Sequence, residues 1–453
     1  MCQFIRKTVW LLLLIFVFTP SFSQLILSER QRADVIDEIL EDRMVNLLPK
    51  LMRKADIDMW IIISREYNED PVMKTMLPSV WLSARRRTMM VFTDKGEKDG
   101  VERLAIARYD VGNLLKGEWN LNINPDQWDA LIKLIVERDP KKIGLNFSKN
   151  YAHADGLTFT EHNEFFEKLP LKYRNKVVSA SDLAVSWLET RTEREMTIYQ
   201  QICRISHDII EEAFSDKVIQ PGVTSTEDVV WWMRQKVTDL GLETWFHPTV
   251  DIQRQSADSF DHLKTFTKRP NKQIIMPGDL LHCDFGITYL RLNSDQQQIA
   301  YVLKPGELEL PDFLKNAMKQ GNRLQECLTE NFVAGKSGNE ILQNALLQSK
   351  KEGINGTIYT HPIGNHGHAA GPTIGMWDNQ GKTIGAGDYK LNNNTAFSIE
   401  LNAAVDLEEW KKPVRIMLEE DGFFDEKGSF RYIDGRQMEI LTIPKKMASN
   451  SRN

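Results

Sequence analysis

Two aspartates that follow a turn are the residues of this sequence best placed to do chemistry. Asp284 and Asp295 lie eleven residues apart, after a turn signal at 277–279 and an apolar pair at 280–281. This pattern predicts one strand that leads into a hairpin, with the second aspartate returning on the next strand. Hard divalent cations bind several carboxylate oxygens, and a site for two ions needs a bridging carboxylate. On its own, such a pair more often marks a solvated hairpin.

The other ligand types of a metal site follow downstream in order. A glycine-rich segment, in which the backbone can approach a metal closely, carries three histidines: His361, His366 and His368. Glu400 lies in an apolar run, where an unpaired buried carboxylate would be costly and a cation would offset that cost. An acidic run at 419–421 follows one more apolar segment. The ordered set therefore predicts a divalent metal site.

The order Asp, Asp, His, Glu, Glu over residues 190–443 resembles the pita-bread metallopeptidases, which include aminopeptidase P, prolidase, methionine aminopeptidase and the metal-free relative creatinase. The tail at 435–442 also resembles the closing motif of that family. The resemblance implies an α/β (α+β) protein with a creatinase-type N-terminal three-layer domain and a C-terminal pita-bread fold. We expect a signal peptide at 1–23, the N-terminal domain at 24–185 and the catalytic domain at 186–446.

The resemblance implies two divalent metal ions, Mn, Co or Zn, and five ligands: Asp284, Asp295, His366, Glu400 and Glu419. Two of these assignments have rivals. His368 competes with His366, because Asn365 looks inserted relative to the family motif. Direct alignment puts Met417 in the bridging position, whereas a two-residue insertion gives that position to Glu419. Strand side chains alternate with period two, so both residues would share a face.

The resemblance also implies catalytic groups. A metal-bound water becomes a hydroxide nucleophile near neutral pH, and Glu400 would take its proton. His262 and His361 would donate hydrogen bonds to the oxyanion. His247, which precedes Pro248, is an alternative residue of the pocket wall.

These features predict a metal-dependent peptidase that acts on peptide substrates before proline, similar to Xaa-Pro aminopeptidase or prolidase and, by resemblance, a homodimer. Two alternatives stay open: a creatinase-type hydrolase that uses histidine without metal, and a non-catalytic binding module. Met417 and the glutamines at 296–298 leave room for them. The metal content of the purified protein separates the three.

The first residues predict a secretory signal peptide. Arg6 and Lys7 precede an apolar run at 9–18, and Ser21 and Ser23 supply small residues before a cleavage site. The run is short for a membrane-spanning helix, although an uncleaved anchor is the alternative. We therefore expect an exported protein, periplasmic or secreted, that starts at about residue 24 and keeps no stable membrane span.

The rest of the chain supplies elements to position the site. Residues 24–185 alternate helices and strands, which favours an α/β layered domain: helices at 29–55 and 126–137, and strands at 59–63, 87–93, 102–108, 142–146 and 176–179. A long helix follows to about residue 213, with a capping box formed by Thr192 and Glu195. Further helices are predicted after 221–227, at 308–330 and at 338–351.

Composition excludes two other classes of protein. The net charge is −6, from 57 basic and 63 acidic residues, and the two signs are interspersed, so no nucleic-acid surface is expected. After signal cleavage three cysteines remain, Cys203, Cys283 and Cys327, and such a sparse, odd set does not make a disulfide framework.

Overall fold

The computed structural model describes residues 26–256 and 273–445. The expected signal peptide and His262 lie outside the described residues. Within the described part of the chain, no helix combines the length and apolar character that crossing a bilayer requires. The three cysteines named above are buried and free.

The described α-helices and strands give a mixed α/β protein, as expected. The helices are α1 (Glu29–Asp42), α2 (Leu48–Lys54), α3 (Pro71–Met76), α4 (Gln127–Arg138), α5 (Phe159–Lys168), α6 (Leu171–Arg174), α7 (Ser181–Glu189), α8 (Glu193–Ala213), α9 (Thr226–Asp239), α10 (Asp312–Thr329) and α11 (Gly338–Lys351). The first ten strands are β1 (Met59–Arg65), β2 (Arg87–Asp94), β3 (Val101–Ala105), β4 (Lys116–Gly117), β5 (Ile143–Leu145), β6 (Val177–Ser179), β7 (Thr249–Gln253), β8 (Leu280–Phe285), β9 (Thr288–Tyr289) and β10 (Leu292–Asn293). The others are β11 (Gln296–Val302), β12 (Asn355–Ile358), β13 (His361–Pro362), β14 (Thr395–Ser398), β15 (Leu401–Leu407), β16 (Lys412–Leu418), β17 (Asp421–Phe424), β18 (Phe430–Tyr432) and β19 (Leu441–Ile443).

The N-terminal part is built around one six-stranded sheet in the order β4-β3-β2-β1-β5-β6. The first five residues of the central strand β1 are apolar, because alternate residues fill two different cores. Trp60 and Ile62 pack into the core beneath one face, and Met59, Ile61 and Ile63 pack into the core on the other. A strand buried on both faces needs helices on both sides, so the sheet is the middle of three layers.

The C-terminal part holds three further sheets in the orders β19-β11-β8-β7, β12-β15-β16 and β13-β14-β17-β18, and a short β9-β10 ribbon. Helix α8 begins at the capping box that the sequence predicts, since Thr192 accepts a hydrogen bond from the backbone of Glu195 and the Glu195 side chain accepts one in return. Its apolar face contacts β8, β10 and β11. Helix α10 packs on β15 and β16, and α11 packs on α10 and on β12.

Antiparallel pairing brings distant strand ends to one place. Strands β8 and β11 pair with Gln297 opposite Asp284, and the β9-β10 ribbon occupies the hairpin between them. An isolated bridge joins Gln297 to Glu419, just beyond the end of β16. Strand β13 pairs with β14 so that His361 lies opposite Ser398. These three pairings determine where the predicted ligands meet.

Candidate metal centre

Four carboxylates gather at the ends of these strands. Asp284 lies on β8 and Asp295 immediately precedes β11. Glu400 occupies the two-residue link between β14 and β15, and Glu419 follows the last residue of β16. His361 joins them from β13. The structure therefore brings together four of the five ligands expected from the resemblance, with a different histidine.

The ligand atoms form two overlapping groups, in each of which they lie within 4.8 Å of one another. One group contains His361, Glu400 and Glu419, and the other contains Asp284, Asp295 and Glu419. Glu419 belongs to both. Asp295 also borders the first group, since its Oδ2 atom lies 3.7 Å from Nε2 of His361. A carboxylate common to two such groups is the feature that a site for two divalent ions would require.

The tautomer of His361 follows from its neighbours. Its Nδ1 atom lies 3.0 Å from the carbonyl oxygen of Pro362, which can only accept, so Nδ1 carries the proton. The unprotonated Nε2 atom then faces oxygens of Glu400 and Glu419 at 3.9 and 3.7 Å, and it has no hydrogen-bond partner. A buried lone pair that faces carboxylates is unfavourable without a cation, and neutral imidazole is a common metal ligand.

The electrostatics of the cluster point the same way. Burial raises the pKa of Asp295, Glu400 and Glu419 well above the usual values, and the neighbouring carboxylates raise them further. Burial, with a contribution from His368, lowers the pKa of His361 to about 3, so this ring does not supply a compensating charge. The buried Oδ1 atom of Asp295 has no hydrogen-bond partner. The donor set therefore fits divalent ions, which would neutralise the carboxylates and satisfy both orphaned atoms.

The acidic run at 419–421 divides between three environments. Glu419 faces the cluster. Glu420 turns away and lies 2.6 Å from Nε2 of His207, whose pKa rises to about 10 because Glu420 and Asp434 outweigh the opposing effect of burial. Asp421 accepts hydrogen bonds from the backbone of Asp295 at 3.2 Å and from Cys203 at 3.3 Å. Only the first of the three acidic residues is thus a ligand candidate.

Met417 does not enter the cluster. It pairs with Asn402 in the register of β15 and β16 and is almost completely buried. Glu419 occupies the bridging position instead, two residues later along the chain. The geometry favours the two-residue insertion over the direct alignment.

His366 lies away from the cluster. Strand β13 ends at Pro362, and the chain then turns, with the backbone N–H of Gly364 donating to the carbonyl of His366 at 3.0 Å. This turn directs the His366 ring against His153, with ring centroids 4.6 Å apart. Among the described residues, His366 belongs to no group that could hold a metal. Its expected role as a ligand has no geometric support, because the turn separates it from the carboxylates.

His368 lies at the mouth of the site. Its ring is exposed, stands perpendicular to that of His361 with centroids 4.6 Å apart, and can join Asp295 and His361 in a third group of ligand atoms. Trp245 lies beside it at 5.3 Å. The Nε1 atom of Trp245 donates a hydrogen bond of 2.8 Å to the carbonyl oxygen of Ser294, which holds the tryptophan in place. A Cβ atom on Gly367 would come within 2.4 Å of the Trp245 ring, so the pocket wall requires glycine there.

The N-terminal part of the chain holds the histidine loop, defined here as residues 361–371. Tyr151 donates a hydrogen bond to the carbonyl of Gly371 at 2.8 Å, and His153 packs on His366. Arg191 lies 3.4 Å from the side-chain oxygen of Asn365, the residue that the sequence comparison marks as inserted. The loop that carries His361 and His368 is therefore enclosed by residues far away in sequence.

Sequence reasoning missed the groups that surround the ligands. Gln297 donates hydrogen bonds to Glu400 and to Glu419, Ser398 donates to Glu419, and His282 contacts Gln297. A signal for them is present in the sequence, since three glutamines at 296–298 open an otherwise apolar strand. Buried amides need partners, and neighbouring ligands can provide them.

Comparisons with known proteins agree with this geometry. The model of metallopeptidase family M24 matches residues 197–429. A search of curated protein sequences finds no match. Among solved structures, the X-Pro aminopeptidase of Thermotoga maritima MSB8 is similar at a TM-score of 0.60 and 17% identity, over 87% of this chain and 99% of that chain. The Xaa-Pro dipeptidase of Bacillus anthracis gives 0.57 and 16%, over 92% and 100%.

A similar structure also occurs in a protein that is not named as a peptidase. The N-terminal domain of FACT complex subunit SPT16 from Eremothecium gossypii is similar at a TM-score of 0.56 and 15% identity, over 91% of this chain and 96% of that chain. At these identities the structural likeness shows the fold alone, a two-domain pita-bread architecture. The family model covers half of the chain, including all four carboxylates and His361. The chain therefore belongs to metallopeptidase family M24.

Proposed function

We propose that this protein is an exported, metal-dependent peptidase that hydrolyses the peptide bond before proline and acts as a homodimer. The observation that carries the proposal is the pair of overlapping donor groups that share Glu419. The secretory pattern of residues 1–23 supports export, and the resemblance of the motifs supports the proline preference and the dimer.

Asp284, Asp295, His361, Glu400 and Glu419 would hold two divalent ions. When bound there, such ions supply a nucleophile near neutral pH by lowering the pKa of water, and they polarise the substrate carbonyl. Glu400, whose carboxylate lies in the cluster, would also accept a proton from the attacking water. Its buried position keeps its proton affinity high, which suits a general base.

His361, expected from the sequence to be a catalytic donor, has its Nε2 atom among the carboxylates and its Nδ1 atom committed to Pro362. We therefore assign it as a ligand. His368, exposed beside it, is better placed to donate a hydrogen bond from its ring to the substrate oxyanion. Trp245 supplies an apolar wall next to His368, against which a proline ring would pack.

The test compares hydrolysis of Xaa-Pro and Xaa-Ala peptides of equal length, with the metal content of the same samples measured. We expect about two divalent ions per chain, cleavage only of the proline peptides, and loss of cleavage on chelation. Glu400→Gln keeps the shape of the side chain and should remove cleavage. A metal-free wild-type protein without hydrolysis would instead support a binding module with this fold.

A further inference from the structure

A buried glutamine, Gln297, contacts both glutamates of the His361 subsite. Its side chain is 3% exposed, and its Nε2 atom donates one hydrogen bond to Oε1 of Glu400 and another to Oε2 of Glu419, the second at 2.6 Å. Both hydrogens of the amide are thus used on two carboxylates of one site. The two side-chain hydrogen bonds are separate from the strand pairing, because the backbone of Gln297 already pairs with the backbone of Glu419.

The two oxygens that do not accept from Gln297 face the histidine, and one of them, Oε1 of Glu419, also accepts a hydrogen bond from Ser398. Oε2 of Glu400 lies 3.9 Å from Nε2 of His361, and Oε1 of Glu419 lies 3.7 Å from the same atom. The amide therefore ties one oxygen of each carboxylate and directs the other oxygen towards the histidine lone pair. Rotation of either carboxylate would break a charge-assisted hydrogen bond to the amide.

The orientation of the amide is itself determined by a neighbour. Oε1 of Gln297 lies 2.8 Å from Nε2 of His282, and an amide oxygen can only accept, so the imidazole donates. His282 is buried on β8, with Asp251 opposite it on β7. A flipped amide would bring its oxygen against two carboxylates and its N–H groups against an N–H group. The contacts thus form one directed series from His282 through Gln297 to the two glutamates.

We propose that Gln297 is a positioning residue for the metal centre, oriented by His282, which presents one oxygen each of Glu400 and Glu419 to the ion bound beside His361. The inference rests on the proposed function, because it takes the carboxylate cluster to be a metal site. Beyond that function, it assigns part of the metal affinity to Gln297, a neutral side chain that is not itself a ligand. Groups that orient metal ligands in this way are typically worth 10- to 100-fold in affinity.

The experiment titrates Mn²⁺ into the metal-free, full-length mature protein and measures affinity by calorimetry for Gln297→Met and its matched control Gln298→Met. Both variants replace a buried glutamine of β11 with a side chain of similar length, but Gln298 donates to Glu420, which lies outside the cluster. We expect Gln297→Met to weaken binding of one Mn²⁺ by about 10- to 100-fold and Gln298→Met to leave both affinities unchanged. Circular dichroism and the thermal midpoint of the metal-free proteins report on folding separately.

A second variant tests the same inference if Gln297→Met does not fold. His282→Phe keeps a buried ring but removes the donor, so the amide of Gln297 can rotate, and we expect a smaller loss of affinity in the same ion. Equal Mn²⁺ affinity in wild type, Gln297→Met and His282→Phe would overturn the inference and leave the proposed function intact. A wild-type protein that binds no Mn²⁺, Co²⁺ or Zn²⁺ would overturn the proposed function, and the inference with it.

Discussion

The two sides of the metal centre are built differently. The four carboxylates lie at strand ends, where ladder hydrogen bonds and a buried hydrogen-bond network hold them, whereas the histidine loop is paired only at its start, through β13, and beyond it also contacts Tyr151 and His153 of the N-terminal part. The carboxylate side depends on strand pairing, and the loop side depends in addition on contacts with the N-terminal part of the chain. The difference teaches that one site can combine a rigid acidic half with a histidine half whose position depends on another region of the molecule.

The largest effect is expected on the rigid side. Glu419→Gln keeps the shape but removes the charge shared by both subsites, so hydrolysis of Xaa-Pro peptides should fall by about three orders of magnitude or more, with loss of bound metal. Met417→Gln is the control, since that side chain lies outside the cluster. Steady-state kinetics and metal analysis give the answer, and the reverse order of the two effects would refute the bridging assignment.

The next test separates the histidines of the loop. His361→Ala removes the only imidazole nitrogen that faces Glu400 and Glu419 in the described part of the chain, and metal affinity should drop by about 100-fold or more. His366→Ala should leave affinity nearly unchanged, because its ring packs on His153. Calorimetric titration of both variants decides between them. Loss of metal in His366→Ala alone would restore the expectation from the sequence motif.

Removing the metal should make stability depend on pH in a defined direction. The folded-state pKa of Asp421 is raised to about 8, and those of Asp295, Glu400 and Glu419 are raised as well, so the folded protein binds more protons than the unfolded chain. This contribution to stability is present at low pH and is lost as the pH rises through the folded pKa values.

Between pH 7 and pH 9 the metal-free protein should therefore show a falling free energy of unfolding, and His207, whose folded-state pKa is raised to about 10, contributes in the same direction. The lowered pKa of His361 acts in the opposite sense only below about pH 6.5. Urea denaturation at several pH values measures the slope, and saturating metal should reduce it by neutralising the carboxylates. A metal-free protein that becomes more stable over this range would contradict the prediction.

The smallest effect is expected from loosening the loop at its distant contacts. Tyr151→Phe removes one hydrogen bond to Gly371 and should cost about 1 kcal/mol of stability. His153→Ala should lower kcat by up to about ten-fold through misplacement of His368, while His153→Phe, which keeps an aromatic ring against His366, should lower it less. Kinetics at constant metal saturation isolate this effect. No change in either His153 variant would show that the loop holds its shape without the N-terminal part.

The contrast also explains what the sequence could predict. The mixed α/β fold is predicted from the alternation of helices and strands, and the order of carboxylates from the family resemblance. The period of two along a strand allows Glu419 to take the place of Met417 on the same face. The histidine loop has no such period. Its glycines and a single extra residue, Asn365, make counting along the chain ambiguous, so the motif pointed to His366 while the turn after β13 places His361 in the cluster. Contacts such as Tyr151 with Gly371 join residues 220 positions apart, which no local pattern reveals.

The hydrogen bond between Tyr151 and Gly371 bears on whether the N-terminal part of the chain can be exchanged for that of a relative. A substitution at residue 151 can alter the surroundings of the histidine loop without changing any residue of the C-terminal part. A chimera that joins the first 185 residues of a distant relative to the remaining residues of this chain would carry every candidate ligand. Its hydrogen bond to Gly371 would depend on the relative's side chain at the position of Tyr151. Where the relative lacks a donor at that position, the chimera should lose about as much stability as Tyr151→Phe, about 1 kcal/mol.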